Sequence, residues 1–252
     1  IIVEHITGSS YPAAIASDRK LDGEQAEKIN SILERLKTYE PIQYILEETE
    51  FFGLSFYVNK NVLIPRPETE ELVELIINEN KEREELSILD IGTGSGCIAI
   101  ALAKYMKQAQ VSAWDISYMA LDVAVLNSKK NSVDVSFKRV DVLSDYPIDK
   151  KFDIIVSNPP YVLESEKAGM EQNVLDYEPY TALFVPDNQA LLFYKRIADI
   201  SLEILKPSGR LYFEINQAKG KETVGMLIEK GFHNAEVFKD LSRKDRIARA
   251  NL

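Results

Sequence analysis

The chain has 252 residues, 45% of them hydrophobic, with a formal net charge of -10, one cysteine and two histidines. Such a length fits one large domain or one domain with a smaller attachment, and no stretch approaches the ~18 consecutive apolar residues of a membrane-spanning helix. An intrachain disulfide at Cys97 is excluded, His5 and His233 offer no metal-ligand spacing, and the acidic balance argues against a surface that grips nucleic acid throughout, so a cytoplasmic protein without bound metal is expected.

The opening Ile1-Ile2-Val3 lacks an initiator methionine and has neither the cationic start nor the cleavage site of a signal peptide, so missing N-terminal residues are expected. Over residues 22–36, Ala26, Ile29, Ile32, Leu33 and Leu36 recur at helical spacing against a charged face, which predicts an amphipathic helix. Residues 51–64 are rich in aromatic and β-branched side chains, and the break at Asn59-Lys60-Asn61 predicts a hairpin that serves as a linker. A second helix over 69–77 follows Pro65-Arg66-Pro67.

From Ser87 onward strands and helices alternate. Strands are predicted at 88–91, 110–116, 136–142, 152–157, 210–215, 233–239 and 247–251, and helices at 97–107, 118–130, 190–205 and 219–230. Alternation of this kind implies crossover connections and a mainly parallel sheet covered on both faces, an α/β fold. The last two strands, separated by a short polar turn at 242–245, should form an antiparallel hairpin at one edge. There is no internal repeat and no low-complexity tract.

Between the first of these strands and its helix lies Asp90-Ile91-Gly92-Thr93-Gly94-Ser95-Gly96. Glycines at alternate positions permit positive φ and let a ligand approach the backbone without a Cβ in the way. The spacing is tighter than in the dinucleotide fingerprint and lacks its later glycine. It resembles instead the first motif of class I S-adenosylmethionine-dependent methyltransferases. That resemblance implies that Gly92, Thr93, Gly94, Ser95 and Gly96 pass beneath the methionine and ribose of the cofactor, with Asp90 close to the methionyl ammonium, directly or through water.

The second strand ends in Asp115, about 20 residues beyond the turn, where a carboxylate can accept both ribose hydroxyls; an acid that caps the following helix is the competing reading. The third strand ends in Val140-Asp141-Val142. There Asp141 could accept from the adenine amino group and the Val142 backbone complete the contact, although a surface aspartate at a strand end is common.

After the fourth strand comes Asn158-Pro159-Pro160-Tyr161. Two prolines fix φ and remove two amide donors, so the loop is a rigid presenter of acceptors, which suits an NH2 donor. A planar amide or aromatic amine is a poor nucleophile because its lone pair is delocalised. If the Asn158 side-chain oxygen and the Pro159 carbonyl take its two N–H groups, the nitrogen is aimed at the sulfonium methyl, and positioning supplies much of the rate. Pro160 would stiffen the loop and Tyr161 pack against the acceptor. The motif leaves adenine, cytosine and glutamine open.

Three further segments separate these candidates: Glu40-Pro41-Ile42-Gln43-Tyr44-Ile45, Val62-Leu63-Ile64-Pro65-Arg66-Pro67-Glu68-Thr69-Glu70, and Leu211-Tyr212-Phe213-Glu214-Ile215 with Gln217. Together with the two motifs they resemble the bacterial release-factor glutamine N5-methyltransferases, the HemK or PrmC family. The similarity runs from about Glu24 to the end. It implies a class I methyltransferase domain with a Rossmann-like seven-stranded sheet at 67–252, a β-hairpin linker at 41–66 and a small, truncated helical N-terminal domain at 1–40. The implied substrate is the glutamine of the Gly-Gly-Gln loop of class I peptide-chain release factors. The implied methyl donor is S-adenosyl-L-methionine, with S-adenosyl-L-homocysteine as product and neither metal, membrane nor nucleic acid involved.

The segment around Leu63 to Arg66 would wall the pocket, and Asn158 would be the catalytic residue and also neighbour the cofactor. The chain departs from the family pattern at Glu47 and Asn216, where glycines are expected, and at 186–190, so local backbone geometry is in question there. The alternatives are an adenine-N6 methyltransferase acting on DNA or RNA, and a non-catalytic scaffolding subunit. The acidic balance disfavours the first, and the coexistence of both motifs the second.

Overall fold

Asp22 starts the first long helix of this protein as a capping box: its carboxylate accepts the Gln25 amide at 2.8 Å while the Gln25 side chain accepts the Asp22 amide, which satisfies two otherwise orphaned donors. The computed structural model describes residues 1–16 and 21–252; residues 17–20, inside the expected N-terminal helical segment, lie outside the described residues. Four helices open the chain, α1 (Ile2–Thr7), α2 (Tyr11–Ala16), α3 (Gly23–Lys37) and α4 (Ile42–Leu46). Helix α3 buries Ile32, whereas Leu33, expected on the same face, is exposed. Helix α4 ends at Glu47 with φ 54°, the left-handed conformation that makes glycine the usual helix terminator.

The next segment, β1 (Glu48–Phe51) and β2 (Leu54–Tyr57), is an antiparallel hairpin in which Phe51 faces Leu54. Its turn is Phe52-Gly53, with φ of 52° and 70°, the two positive values that suit strand twist. This corrects the expectation of a break at 59–61. Asn59 does make a local turn, accepting the Asn61 amide on its side chain, but the chain from there to Arg66 is irregular and pairs with no strand.

Pro67 then occupies the first turn of α5 (Pro67–Asn80), where its missing N–H costs nothing. The alternating part follows as β3 (Ser87–Ile91), α6 (Cys97–Tyr105), β4 (Gln110–Asp115), α7 (Tyr118–Asn131), β5 (Ser136–Arg139) and β6 (Phe152–Ser157). A short excursion, β7 (Val162–Leu163), α8 (Gln172–Tyr177), α9 (Tyr180–Leu183) and β8 (Phe184–Val185), precedes α10 (Leu192–Ile204), β9 (Leu205–Glu214), α11 (Gly220–Glu229), β10 (His233–Lys239) and β11 (Asp245–Asn251).

Seven strands form one sheet in the order β10-β11-β9-β6-β3-β4-β5, parallel except for the β10–β11 hairpin and the β11–β9 pairing. Phe51, Phe56, Leu72, Ile76 and Ile100 fill one face and Tyr194, Ile197, Ile200, Phe213 and Leu227 the other; each such side chain contributes about 1.5–3 kcal/mol by leaving water.

The order in which successive strands are added to the sheet reverses between β3 and β6, which are themselves parallel, and in open α/β sheets ligands bind at the carboxyl ends beside such a switch. Register levels those ends. Ile91 pairs with both Trp114 and Ser157, and Ser157 with Phe213. The next residues, Glu214, Asn158, Gly92 and Asp115, therefore leave four adjacent strands side by side, at a spacing of about 4.8 Å per strand.

Candidate active site

A cavity of about 580 Å³ opens over this edge of the sheet. Gly92, Thr93, Gly94, Ser95, Asp115, Asp141 and Val142 line one end and Asn158, Pro159 and Pro160 the other, with the irregular segment from Lys60 to Arg66 beside them. Gly96, Tyr161 and Asp90, all singled out in the sequence, stand apart from the cavity lining. A Cβ on Gly96 would come within 2.9 Å of Ile100 and 3.1 Å of Ala124, so Gly96 serves the close packing of α6 on α7. Tyr161 sends its hydroxyl to Glu214 at 2.9 Å and packs on the core beneath α10.

The glycine turn is held from β4. The amides of Gly92 and Thr93 both donate to the Trp114 carbonyl, and the Asp115 carboxylate accepts the Gly94 amide on one oxygen and the Ser117 amide on the other, each at 2.9 Å. Each oxygen keeps a lone pair for a ligand. Burial pushes the Asp115 carboxyl above its usual range, opposed by these amides. A Cβ on Gly92 or Gly94 would meet nothing within 4 Å, so these two positions leave open space above the turn.

Asp90 is fully buried beneath it. One oxygen accepts the Thr93 hydroxyl at 2.6 Å; the other, among the described residues, has no partner. Burial pushes its carboxyl up to about 7, against the Thr93 hydroxyl and the Ala99 amide, which favour the charge. A buried carboxylate with an unused oxygen under an open glycine turn fits a ligand that carries a cation there.

The strand expected to reach residue 142 stops at Arg139. Asp141 accepts the Leu143 amide and the Ser144 hydroxyl with its two carboxylate oxygens, so part of its capacity is spent on its own turn. Arg196 of α10 fixes the neighbouring loop by donating to the carbonyls of Val142 and Ser144 at 2.6 and 2.7 Å.

At the other end, Asn158 donates its Nδ2 to the Thr69 hydroxyl at 3.3 Å, and Thr69 donates to Glu214 at 2.6 Å. Asn216, standing where the family pattern has glycine, donates to the Tyr161 carbonyl and to Glu166, tying the acceptor loop to the end of β9. The wall is stapled as well. Arg66 donates to Glu178 at 2.5 Å while the Ile64 amide donates to the other Glu178 oxygen, and the Glu178 side chain is 1% exposed. Tyr44 donates to the Val62 carbonyl at 2.6 Å, so α4 braces the same segment.

Comparison with known proteins agrees with this arrangement. A family model for the methyltransferase small domain matches residues 69–176, and one for the PrmC N-terminal domain matches residues 1–46. A protein of Flavobacterium psychrophilum named release factor glutamine methyltransferase is 52% identical over 240 residues, 94% of this chain and 84% of the relative. The chain belongs to the release-factor glutamine methyltransferase family. A Bacteroides thetaiotaomicron member of the same name is 52% identical over 89% of this chain and 80% of its own length.

Among solved structures, the hMettl16 catalytic domain in complex with the MAT2A 3'UTR hairpin 6 superposes with a TM-score of 0.65 at 18% identity, covering 93% of each chain; the likeness is one of fold alone. The chain is thus a methyltransferase of a family that uses S-adenosylmethionine, and its fold is the expected class I sheet with an antiparallel edge hairpin. No helix among the described residues is long and apolar enough to cross a membrane.

Thr69, Glu214 and Glu178 are the residues that sequence reasoning passed over. Thr69 and Glu214 lie inside the quoted family segments but carry no motif chemistry of their own. Glu178 lies between the short helices α8 and α9, which show no periodicity, and only its pairing with Arg66 marks it.

Proposed function

We propose that this chain transfers a methyl group from S-adenosyl-L-methionine to the side-chain amide nitrogen of the glutamine in the Gly-Gly-Gln loop of class I release factors. One observation carries this reading: Asn158, Pro159 and Pro160 share a single cavity with the glycine turn and Asp115. The family membership argues for glutamine over adenine as the acceptor, and the excess of acidic over basic side chains agrees with a protein partner.

In this reading Asp115 accepts the ribose hydroxyls, the turn from Gly92 to Ser95 carries the methionine and ribose, Asp90 meets the ammonium, and Asp141 with the Val142 backbone borders the adenine. When bound, S-adenosylmethionine supplies a methyl group made electrophilic by its sulfonium. Asn158 and the Pro159 carbonyl accept the two amide N–H groups and orient the nitrogen towards that methyl. The new N–C bond forms as the C–S bond breaks, its electron pair stays on sulfur to give S-adenosyl-L-homocysteine, and the nitrogen loses one proton to solvent. Hydrogen bonds to Asn158 strengthen as positive charge grows on nitrogen, which is where they act on rate.

Incubation with labelled S-adenosylmethionine tests the assignment. Label should enter a purified class I release factor and be absent from its Gln→Ala variant in the Gly-Gly-Gln loop and from duplex and single-stranded nucleic acid. Label in nucleic acid would replace glutamine with adenine as acceptor.

A further inference from the structure

We propose that Thr69 and Glu214 are positioning residues that fix which end of the Asn158 amide faces the acceptor. The proposal rests on the acceptor-loop reading above and extends it one layer inward. Glu214 ends β9 beside Asn158, because Phe213 and Ser157 are register partners. Its carboxylate is 1% exposed, accepting the Thr69 hydroxyl on one oxygen at 2.6 Å and the Tyr161 hydroxyl on the other at 2.9 Å. Thr69, 2% exposed, reaches it from the first turn of α5.

The direction follows from the donor inventory. An ionised carboxylate has no proton to give, so the single hydroxyl proton of Thr69 is committed to Glu214. Towards Asn158 the Thr69 oxygen is then an acceptor only. The Asn158 amide can satisfy it with its NH2 end and not with its oxygen, and that is the observed contact. Oδ1 is left for the substrate N–H.

An amide free to turn over would present NH2 to NH2 in half its orientations, with a donor meeting a donor. Burial pushes the Glu214 carboxyl above its ordinary range; against it, the Thr69 and Tyr161 hydroxyls and the charge of Arg246 favour the ionised form that fixes this order.

The test is steady-state methyl transfer to purified release factor, with cofactor titration and thermal melting on each variant: Thr69→Val, Thr69→Ser, Glu214→Gln, Asn158→Ala and the Thr69→Val/Asn158→Ala double variant. Thr69→Val keeps the side-chain shape and should lower kcat on the order of 10- to 100-fold, the scale of a misplaced catalytic group. Cofactor Kd and KM for release factor should stay within about threefold, because the lost effect belongs to the transition state.

Thr69→Ser restores the hydroxyl and should recover most of kcat. In the Asn158→Ala background Thr69→Val should change nothing further. Glu214→Gln should follow Thr69→Val, and if it fails to fold the Thr69 series still decides. A Thr69→Val enzyme with parental kcat beside an inactive Asn158→Ala would overturn the positioning role and leave the acceptor-loop reading intact, as would a full additive loss in the double variant. An active Asn158→Ala would remove the acceptor-loop reading and the positioning role with it.

Discussion

The two ends of the cavity are built on opposite plans. At the acceptor end nearly every polar group is already engaged: Asn158 with Thr69, Thr69 and Tyr161 with Glu214, and Asn216 with the Tyr161 carbonyl and Glu166. At the donor end one oxygen of the buried Asp90 has no hydrogen-bond partner among the described residues, and two glycines face open space. The protein completes the first end by itself, and on the proposed reading a ligand's charge completes the second. The difference matches the two partners' chemistry. A neutral amide needs direction, which a fixed network provides, whereas a charged cofactor brings the missing counter-charge.

The sharpest way to break this contrast is Asn158→Ala. Turnover should fall on the order of 100- to 1000-fold, by analogy with loss of one preorganised hydrogen-bonding group, while melting temperature and cofactor affinity stay near the parent. Turnover surviving within a few-fold would mean that the acceptor end is scaffolding.

A smaller effect is expected from Asp115→Ala, which removes a carboxylate that also tethers Gly94 and Ser117. A charged hydrogen bond is worth about 1.5–3 kcal/mol, so calorimetry should show cofactor binding weakened roughly 10- to 150-fold. Unchanged affinity would take Asp115 out of the ligand site and leave it as a turn-holding residue.

The mildest probe is pH. The Asp90 carboxyl, held up to about 7 by burial, keeps its proton in the folded chain through a range where the unfolded chain has lost it. Its contribution to stability is therefore fully present below its ordinary range near 4 and is lost as pH rises through 7. A cationic ligand reverses the preference, because it binds the ionised form. Cofactor affinity should rise several-fold between about pH 6 and about pH 7.5, with a proton released on binding, and Asp90→Asn should flatten the profile. A flat profile in the parent chain would show that Asp90 serves only the turn.

Much of this molecule was legible in its residues because its signals are local or periodic. All seven strands of the large sheet were expected, and the glycine turn, Asp115 and the Asn158-Pro159-Pro160 loop fall at strand ends that the parallel register levels. The hairpin was misplaced because Asn59-Lys60-Asn61 has stronger turn composition than Phe52-Gly53, whose positive φ values are imposed by the pairing of β1 with β2. Glu47, where glycine was expected, takes the left-handed conformation at a cost of about 1–2 kcal/mol. Asn216 instead uses its side chain, donating to the Tyr161 carbonyl and to Glu166 and accepting the Ala218 amide. The pairing of Thr69 with Glu214 spans 145 residues of sequence, and no window of the chain contains both.

One consequence of the double proline concerns damaged substrates. Pro159 and Pro160 bring no amide N–H to the cavity, and Asn158 gives one N–H of its NH2 to Thr69. On the proposed reading the two atoms this lip turns to the acceptor, Asn158 Oδ1 and the Pro159 carbonyl oxygen, are both hydrogen-bond acceptors. A glutamine that has deamidated to glutamate offers only lone pairs in return, and it would lose both hydrogen bonds and gain repulsion. On that reading the geometry that orients an amide also disfavours the deamidated side chain.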